Sequence, residues 1–506
     1  MTLSPAPPET ESTSLRGGRL GVVGIVFYVI AAASPLVGMT GALPVAIVLG
    51  NGAAVPGAYL AVGIVLLLFS VGYAAMSQRV TNTGAFFAYV GRGLGIGPGV
   101  GSAYVSLIAY LAIQLAIYGF FGAVMSSQMD DKLGINLSWW VWSLLAWGAV
   151  LLLSAFSVDV GAKVLGVLML LELASLALVS IAVFVQGGPD GFDFAASFAP
   201  SNILVGGLTG SAGIALAFAF ASFIGFEATA IYGEESKDPK RTVPIATYAA
   251  VTIITVLFAA TTFAVITALG ASDAVHETVV RSSVDGIPLA DSAAVIFSVA
   301  TDYVGAWLAN VMSWLVLSSL FAGMLAFQNS AARYFFSMGR AGVLPSRLDH
   351  VNKAGAPLLG SIVTSVITGL VIVLFAVTGK DPVLNLFFWF SGLAVVAIVL
   401  VEVLVCFAVV AFFQRHPEEK NIWKTLVAPI LAALGLLLGE FLLMSRFGLL
   451  AGTVAKGVDP TTQSWGLNAL GYTLVFLPFA VFILGAVVGT VRRRGENVSA
   501  IADLVG

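Results

Sequence analysis

Four acidic residues stand inside apolar runs of this chain: Glu172, Glu227, Glu402 and Glu440. A carboxyl group in hydrocarbon is costly, so it must find partners, exchange a proton, or serve an ion or solute path. Glu172 has no other charge near it in sequence. It is a candidate proton-coupling group, since a carboxyl in low-dielectric surroundings can exchange protons; the alternative is a structural acid held by a hydroxyl or by a distant helix. Glu227 follows Gly225 by two residues and precedes a dense charged cluster, Glu234, Glu235, Lys237, Asp238, Lys240 and Arg241. The three histidines show no zinc-ligand spacing, and no phosphate-cradling glycine loop is present. The lone Cys406 reads as a small buried apolar residue. The expectation is no enzyme, no cofactor, no metal and no drive by ATP.

Two further patterns could do chemistry through the backbone. Ser34-Pro35-Leu36-Val37-Gly38 interrupts the first apolar run, and Ser222-Phe223-Ile224-Gly225-Phe226 interrupts the sixth. Proline supplies no amide donor and crowds the preceding turn; glycine relaxes the backbone further. Paired breaks in two halves of a membrane chain predict inverted repeats with a solute site between them near the midplane.

The elements that must position these groups follow from composition. The chain has 506 residues, 59% hydrophobic and 10% charged. Soluble domains carry about 25% charge, so the lipid bilayer is its partner. The 23 bases are too few and scattered for a nucleic-acid face. A hydrocarbon core about 30 Å thick takes roughly 20 apolar residues in helix. Such runs fall at about 20–49, 54–76, 99–126, 139–157, 161–186, 208–233, 243–269, 303–337, 358–378, 384–413, 423–444 and 468–491. Twelve spans with both termini cytoplasmic put 18 of the 23 Lys and Arg on the inner side, as cytoplasmic loops prefer. The expected fold is therefore an all-α polytopic membrane protein with a five-plus-five inverted repeat and broken helices one and six. Repeat one covers about 20–186, repeat two about 208–413, and two peripheral helices about 423–491. Residues 1–16 read as a disordered cytoplasmic tail, 17–495 as one transmembrane domain, and 496–506 as a second cytoplasmic tail.

Several segments carry a family likeness. Gly225-Phe226-Glu227, Glu234-Glu235, Asp238-Pro239-Lys240-Arg241 and Pro244 resemble the signature of the amino acid–polyamine–organocation permeases. The stretches Thr81 to Gly95 and Ser330 to Pro357 are similar to that family's entry to helix three and exit from helix eight. The likeness covers about residues 17–495. It implies a secondary transporter that moves amino acids or related amines, coupled to protons, sodium or exchange, and the leading expectation is a proton-coupled amino acid permease of the plasma membrane. At the first break many members carry a Gly-rich triplet, where this chain has Pro35-Leu36-Val37-Gly38. Glu172 aligns where several proton-coupled relatives carry a lysine in place of a sodium ion.

An amino acid zwitterion needs both charges met. Amides near Val37 to Thr40 would face the carboxylate, and carbonyls near Phe220 to Phe223 the ammonium. Ser34 and Ser222 could assist, or satisfy their own backbone. Phe220 and Phe223 flank the break as gate or as packing. Tyr110, Gln114 and Tyr118 share one face of the third run at spacings of four and could line the cavity. Glu227 braces the break or meets the ammonium through water. Glu234, Glu235 and Arg241 belong to an inner gate closed on Arg79, Arg92 or Arg340, or to a solvated loop. The competing functions are an amine or polyamine carrier, an amino acid exchanger, and a transporter-like solute sensor.

Overall fold

The computed structural model describes residues 18, 20–80, 84–155 and 159–492, with 159–165 and 492 described by backbone alone. The expected tails, 1–16 and 496–506, lie outside these residues. The described chain is helical, with no strand among the described residues beyond isolated backbone bridges such as Leu20–Ser236. Ten helices are long and apolar enough to cross a membrane, the first a bent stretch, Val22–Ser77, of 56 residues. Trp139–Ser154 is apolar but shorter.

We label the elements that bear on the site. The first stretch divides into α1 (Val22–Ala33), α2 (residues 35–51) and α3 (Val55–Ser77). Then come α4 (Ala85–Leu94), α5 (Ile96–Leu133), α6 (Trp139–Ser154) and α7 (Asp159–Gln186). The second broken helix is α8 (Ala212–Phe223) followed by the short α9 (Ala228–Ile231). After it run α10 (Pro239–Leu269), α11 (Ala306–Arg340), α12 (Leu358–Val377), α13 (Phe388–Arg415), α14 (Ala428–Ala451) and α15 (Ala469–Arg492).

Proline and glycine set the irregular points. Pro44 in α2 has no amide to return to the carbonyl four residues back, and the helix widens into π turns at Gly38–Ala42 and Ala46–Asn51. Where backbones must touch, small residues allow it. A Cβ on Gly485 of α15 would lie 2.9 Å from the Gly101 Cα of α5, so these two helices meet with no side chain between them. Helix α5 also packs on α4, α11 and α13.

The observed boundaries exceed the apolar runs in places. The third run, expected at 99–126, is part of a helix reaching Leu133 that carries Asp130, Asp131 and Lys132 beyond its apolar length. A helix satisfies its own backbone and needs no lipid to continue into water. The sixth run, expected from 208, becomes α-helical only at Ala212, after a tight turn at Gly207–Thr209.

Candidate functional site

At the first break Ser34 adopts a left-handed conformation, φ 45° and ψ 67°. The following proline disfavours helical geometry at this residue. The serine hydroxyl reaches the carbonyls of Ala31 at 2.9 Å and of Ser319 in α11 at 3.2 Å. Helix α2 then restarts on the Ser34 carbonyl, which accepts the amides of Val37 and Gly38 at 2.9 and 3.2 Å. The Leu36 amide turns outward instead and donates to Glu172 Oε1 at 2.6 Å. Ser319 donates its hydroxyl to the same oxygen at 2.9 Å. A carboxylate from α7 thus sits on the N-terminal, positive end of α2, where anions are favoured. The expected solute-facing amides differ in this respect: those of Val37 and Gly38 are spent inside the turn.

The second break rests on Gly225, whose φ of 112° is a conformation that L side chains rarely adopt. A Cβ there would meet the Ala32 Cβ at 2.6 Å, so the second break packs directly on the end of α1 beside the first. The amides of Ile224 and Phe226 bond the carbonyls of Ala221 and Phe223. That shift leaves the Phe220 and Ser222 carbonyls without their usual donor four residues on. Glu227 ties the break down. Its Oε2 accepts the Gly225 amide and its Oε1 the Tyr110 hydroxyl, both at 2.9 Å. Tyr73 donates to its carbonyl at 2.7 Å. Glu227 thus links the second break to α5 through Tyr110 and to α3 through Tyr73.

Between the breaks lies a cavity of about 50 Å³. Ser34, Val37 and Gly38 line it from the first broken helix, and Phe218, Ala221 and Ser222 from the second. Ile113 and Ile117 of α5, Phe327 of α11, and Phe387 and Ser391 at the head of α13 complete the wall. Gly38 is required by space: a Cβ would stand 2.7 Å from the Phe258 ring and 3.3 Å from Ser222 Oγ. Ser222 donates to the Phe218 carbonyl at 2.8 Å and lies 3.1 Å from the Tyr59 hydroxyl. The Ser391 hydroxyl is buried in this wall without a hydrogen-bond partner.

Comparison with known proteins gives the family. A family model for amino acid permeases matches residues 24–496. The chain belongs to the amino acid permease family. It is also similar to an uncharacterized transporter of Legionella pneumophila subsp. pneumophila (strain Philadelphia 1), 24% identical over 357 residues, covering 68% of this chain and 72% of the relative. The permease is therefore a multi-pass membrane transporter.

Other expected site residues of the permease fall outside the cavity wall. Pro35 and Leu36 shape the restart of α2 and do not face the cavity. Gln114 donates to Gln328 Oε1 at 2.8 Å, and Gln328 in turn donates to Ser361 and Ser365 of α12, so this polar line joins α5, α11 and α12. Ile113 and Ile117, each one residue earlier than Gln114 and Tyr118, face the solute space instead. The Phe220 ring packs on Gly439 of α14, and Phe223 lies with its ring 6.1 Å from that of Phe258. Phe218, one turn before Ser222, supplies the aromatic ring that the second broken helix gives to the wall. That spacing of four was the available signal for it. Ser391 offered a weaker one, a lone small polar residue amid an apolar run, as at Ser34 and Ser222.

On the far side of the second break the permease holds a charged layer. Glu235 meets Arg333 of α11 at 2.8 Å, with Arg333 only 3% exposed. The Arg333 guanidinium also lies 4.8 Å above the Tyr232 ring, itself stacked on Tyr28. Glu234 takes two bonds from Arg340, at 2.6 and 3.2 Å. Of the three bases expected to meet this cluster, Arg340 does so. Arg79 pairs with Glu419 at 2.9 Å, and Arg92 has its Nε buried with no partner. Arg241 is exposed on the first turn of α10. The segment just before α1 joins the layer through its backbone: Leu20 donates to the Glu235 carbonyl at 3.0 Å and accepts the Lys237 amide at 2.9 Å.

Proposed function

We propose that the protein is a secondary active transporter that carries amino acids across the plasma membrane by alternating access, in symport with protons. The observation that carries this reading is the cavity held between the two helix breaks, with the Ser34 and Ser222 residues of those breaks in its wall. Irregular backbone inside a membrane is tolerated where it lines such a space.

In this reading the chain makes twelve spans, in a five-plus-five inverted repeat with two peripheral helices and both termini cytoplasmic. A straight helix of 56 residues would be about 84 Å long, far beyond one bilayer, so Val22–Ser77 counts as two spans, and Trp139–Ser154 adds the remaining one. The solute meets Ser34, Val37, Gly38 and Ser222. Glu172 carries the proton. It joins α7 to α2 and α11 through a single oxygen, so a change in its charge alters the hold of one helix on two others. Glu234, Glu235 and their arginines form the inner gate.

The test is uptake of radiolabelled amino acids into proteoliposomes with and without an imposed proton gradient. The wild type concentrates solute when the outside is acidified. Glu172→Gln keeps an acceptor for the Leu36 amide and so retains exchange, while uptake driven by the gradient is lost. Uptake by Glu172→Gln that still follows the gradient would remove the proton role from this residue.

A further inference from the structure

We propose that the cavity selects a zwitterionic amino acid with a small uncharged side chain, and that the Ser391 hydroxyl donates to the solute carboxylate. This rests on the transporter reading above and names its substrate class.

The wall of the cavity holds no charged side chain. Glu172 and Glu227, the acids bonded at the breaks, are held by Leu36, Ser319, Gly225 and Tyr110. A second ammonium, on a dibasic amino acid or a polyamine, would find no counter-charge here, and a side-chain carboxylate would find no base. Burying such a charge unpaired costs several kcal/mol, which rejects both classes. The remaining wall is apolar, apart from serines. Water needs roughly 10–15 Å³ of such space, so a cavity of about 50 Å³ takes only a handful of heavy atoms.

The donor count singles out Ser391. A solute carboxylate needs hydrogen-bond donors. The Val37 and Gly38 amides are spent on Ser34, and the Leu36 amide on Glu172. The hydroxyls of Ser34 and Ser222 reach main-chain carbonyls of their own helices. Serine in a membrane helix ordinarily does this. Ser391, only 3% exposed, makes no such bond and lines the same cavity. A buried hydroxyl with no partner in the protein is one a bound solute can satisfy.

The experiment is uptake of radiolabelled alanine by the full chain in proteoliposomes, with excess unlabelled glycine, serine, leucine, lysine, glutamate or putrescine. Glycine and serine should compete, leucine weakly, and lysine, glutamate and putrescine not at all. Ser391→Ala should raise KM for alanine about tenfold, the worth of one hydrogen bond to a charged group, with turnover at saturation kept. Ser391→Thr, which retains the hydroxyl, should restore much of the affinity. Saturable uptake of lysine or putrescine in preference to alanine would overturn the substrate class while leaving the transporter reading intact. An unchanged KM in a well-folded Ser391→Ala would overturn the assignment of Ser391. Absence of both binding and uptake for every compound in the panel would overturn this proposal and the transporter reading together.

Discussion

Glu172 Oε1 lies 2.6 Å from the backbone nitrogen of Leu36, closing the start of a helix with a side chain from 136 residues away. The same oxygen accepts the Ser319 hydroxyl, so three helices meet at one atom. Removing the group altogether should therefore differ from neutralising it. Glu172→Ala leaves the Leu36 amide buried without an acceptor, a cost of about 1–3 kcal/mol. Thermal unfolding in detergent should show a clearly lowered Tm for Glu172→Ala and a smaller change for Glu172→Gln.

Gly225 should tolerate no side chain. Its φ of 112° is strained for any other residue, and the added Cβ would overlap Ala32 at 2.6 Å. Strain of this kind costs about 1–3 kcal/mol before the clash is counted. Gly225→Ala should lower Tm and abolish uptake together, because it pushes the second break away from α1. Retained uptake at normal stability would show that this close packing is not needed.

Gly38 offers a case with a rescue. Gly38→Ala drives a methyl into the Phe258 ring at 2.7 Å. Overpacking costs typically about 1–3 kcal/mol. The double substitution Gly38→Ala with Phe258→Leu relieves the ring contact and should recover part of the lost uptake. Lack of any recovery would point to Ser222, 3.3 Å away, as the obstructed group.

The two arginines of the charged layer should behave differently. Arg333 is buried against Glu235, and breaking a buried pair from one side costs about 3–5 kcal/mol. Arg340 and Glu234 are partly exposed, where such pairs contribute about 0–1 kcal/mol. Arg333→Ala should thus lower Tm far more than Arg340→Ala. Glu235→Ala combined with Arg333→Ala should be milder than Arg333→Ala alone, since no charge is then stranded.

Phe218 and Phe220 separate solute contact from packing. Phe218→Ala enlarges the cavity wall and should raise KM or broaden the accepted side chains. Phe220→Ala removes the ring from Gly439 and should lower Tm by the loss of a buried aromatic, about 3–5 kcal/mol at full burial, with KM little changed. Measuring both quantities on both variants tests the assignment.

Much of this arrangement is legible in the sequence, and the limits have physical causes. Ser34-Pro35 and Gly225 announce their breaks because proline and glycine act on the backbone wherever they stand. Which face of a helix meets the cavity is another matter. One residue in a helix is a rotation of 100°, so Ile113 and Phe218 line the space while Gln114 and Phe220 face neighbouring helices. An unbroken apolar run carries no amphipathic stripe to fix that rotation. Arg333 pairs with Glu235 across 98 residues of chain, a contact that no local spacing in the sequence announces. The carboxylate on the Leu36 amide was equally hidden, since a backbone donor has no letter in the sequence.

The Leu20–Ser236 bridge consists of main-chain atoms only. Side-chain truncation cannot reach it, so an alanine scan across either segment would pass over this latch without a signal. Proline at position 20 or 237 deletes one of its two donors. A protein can in this way fasten one segment to another through main-chain atoms while leaving both sequences free to drift.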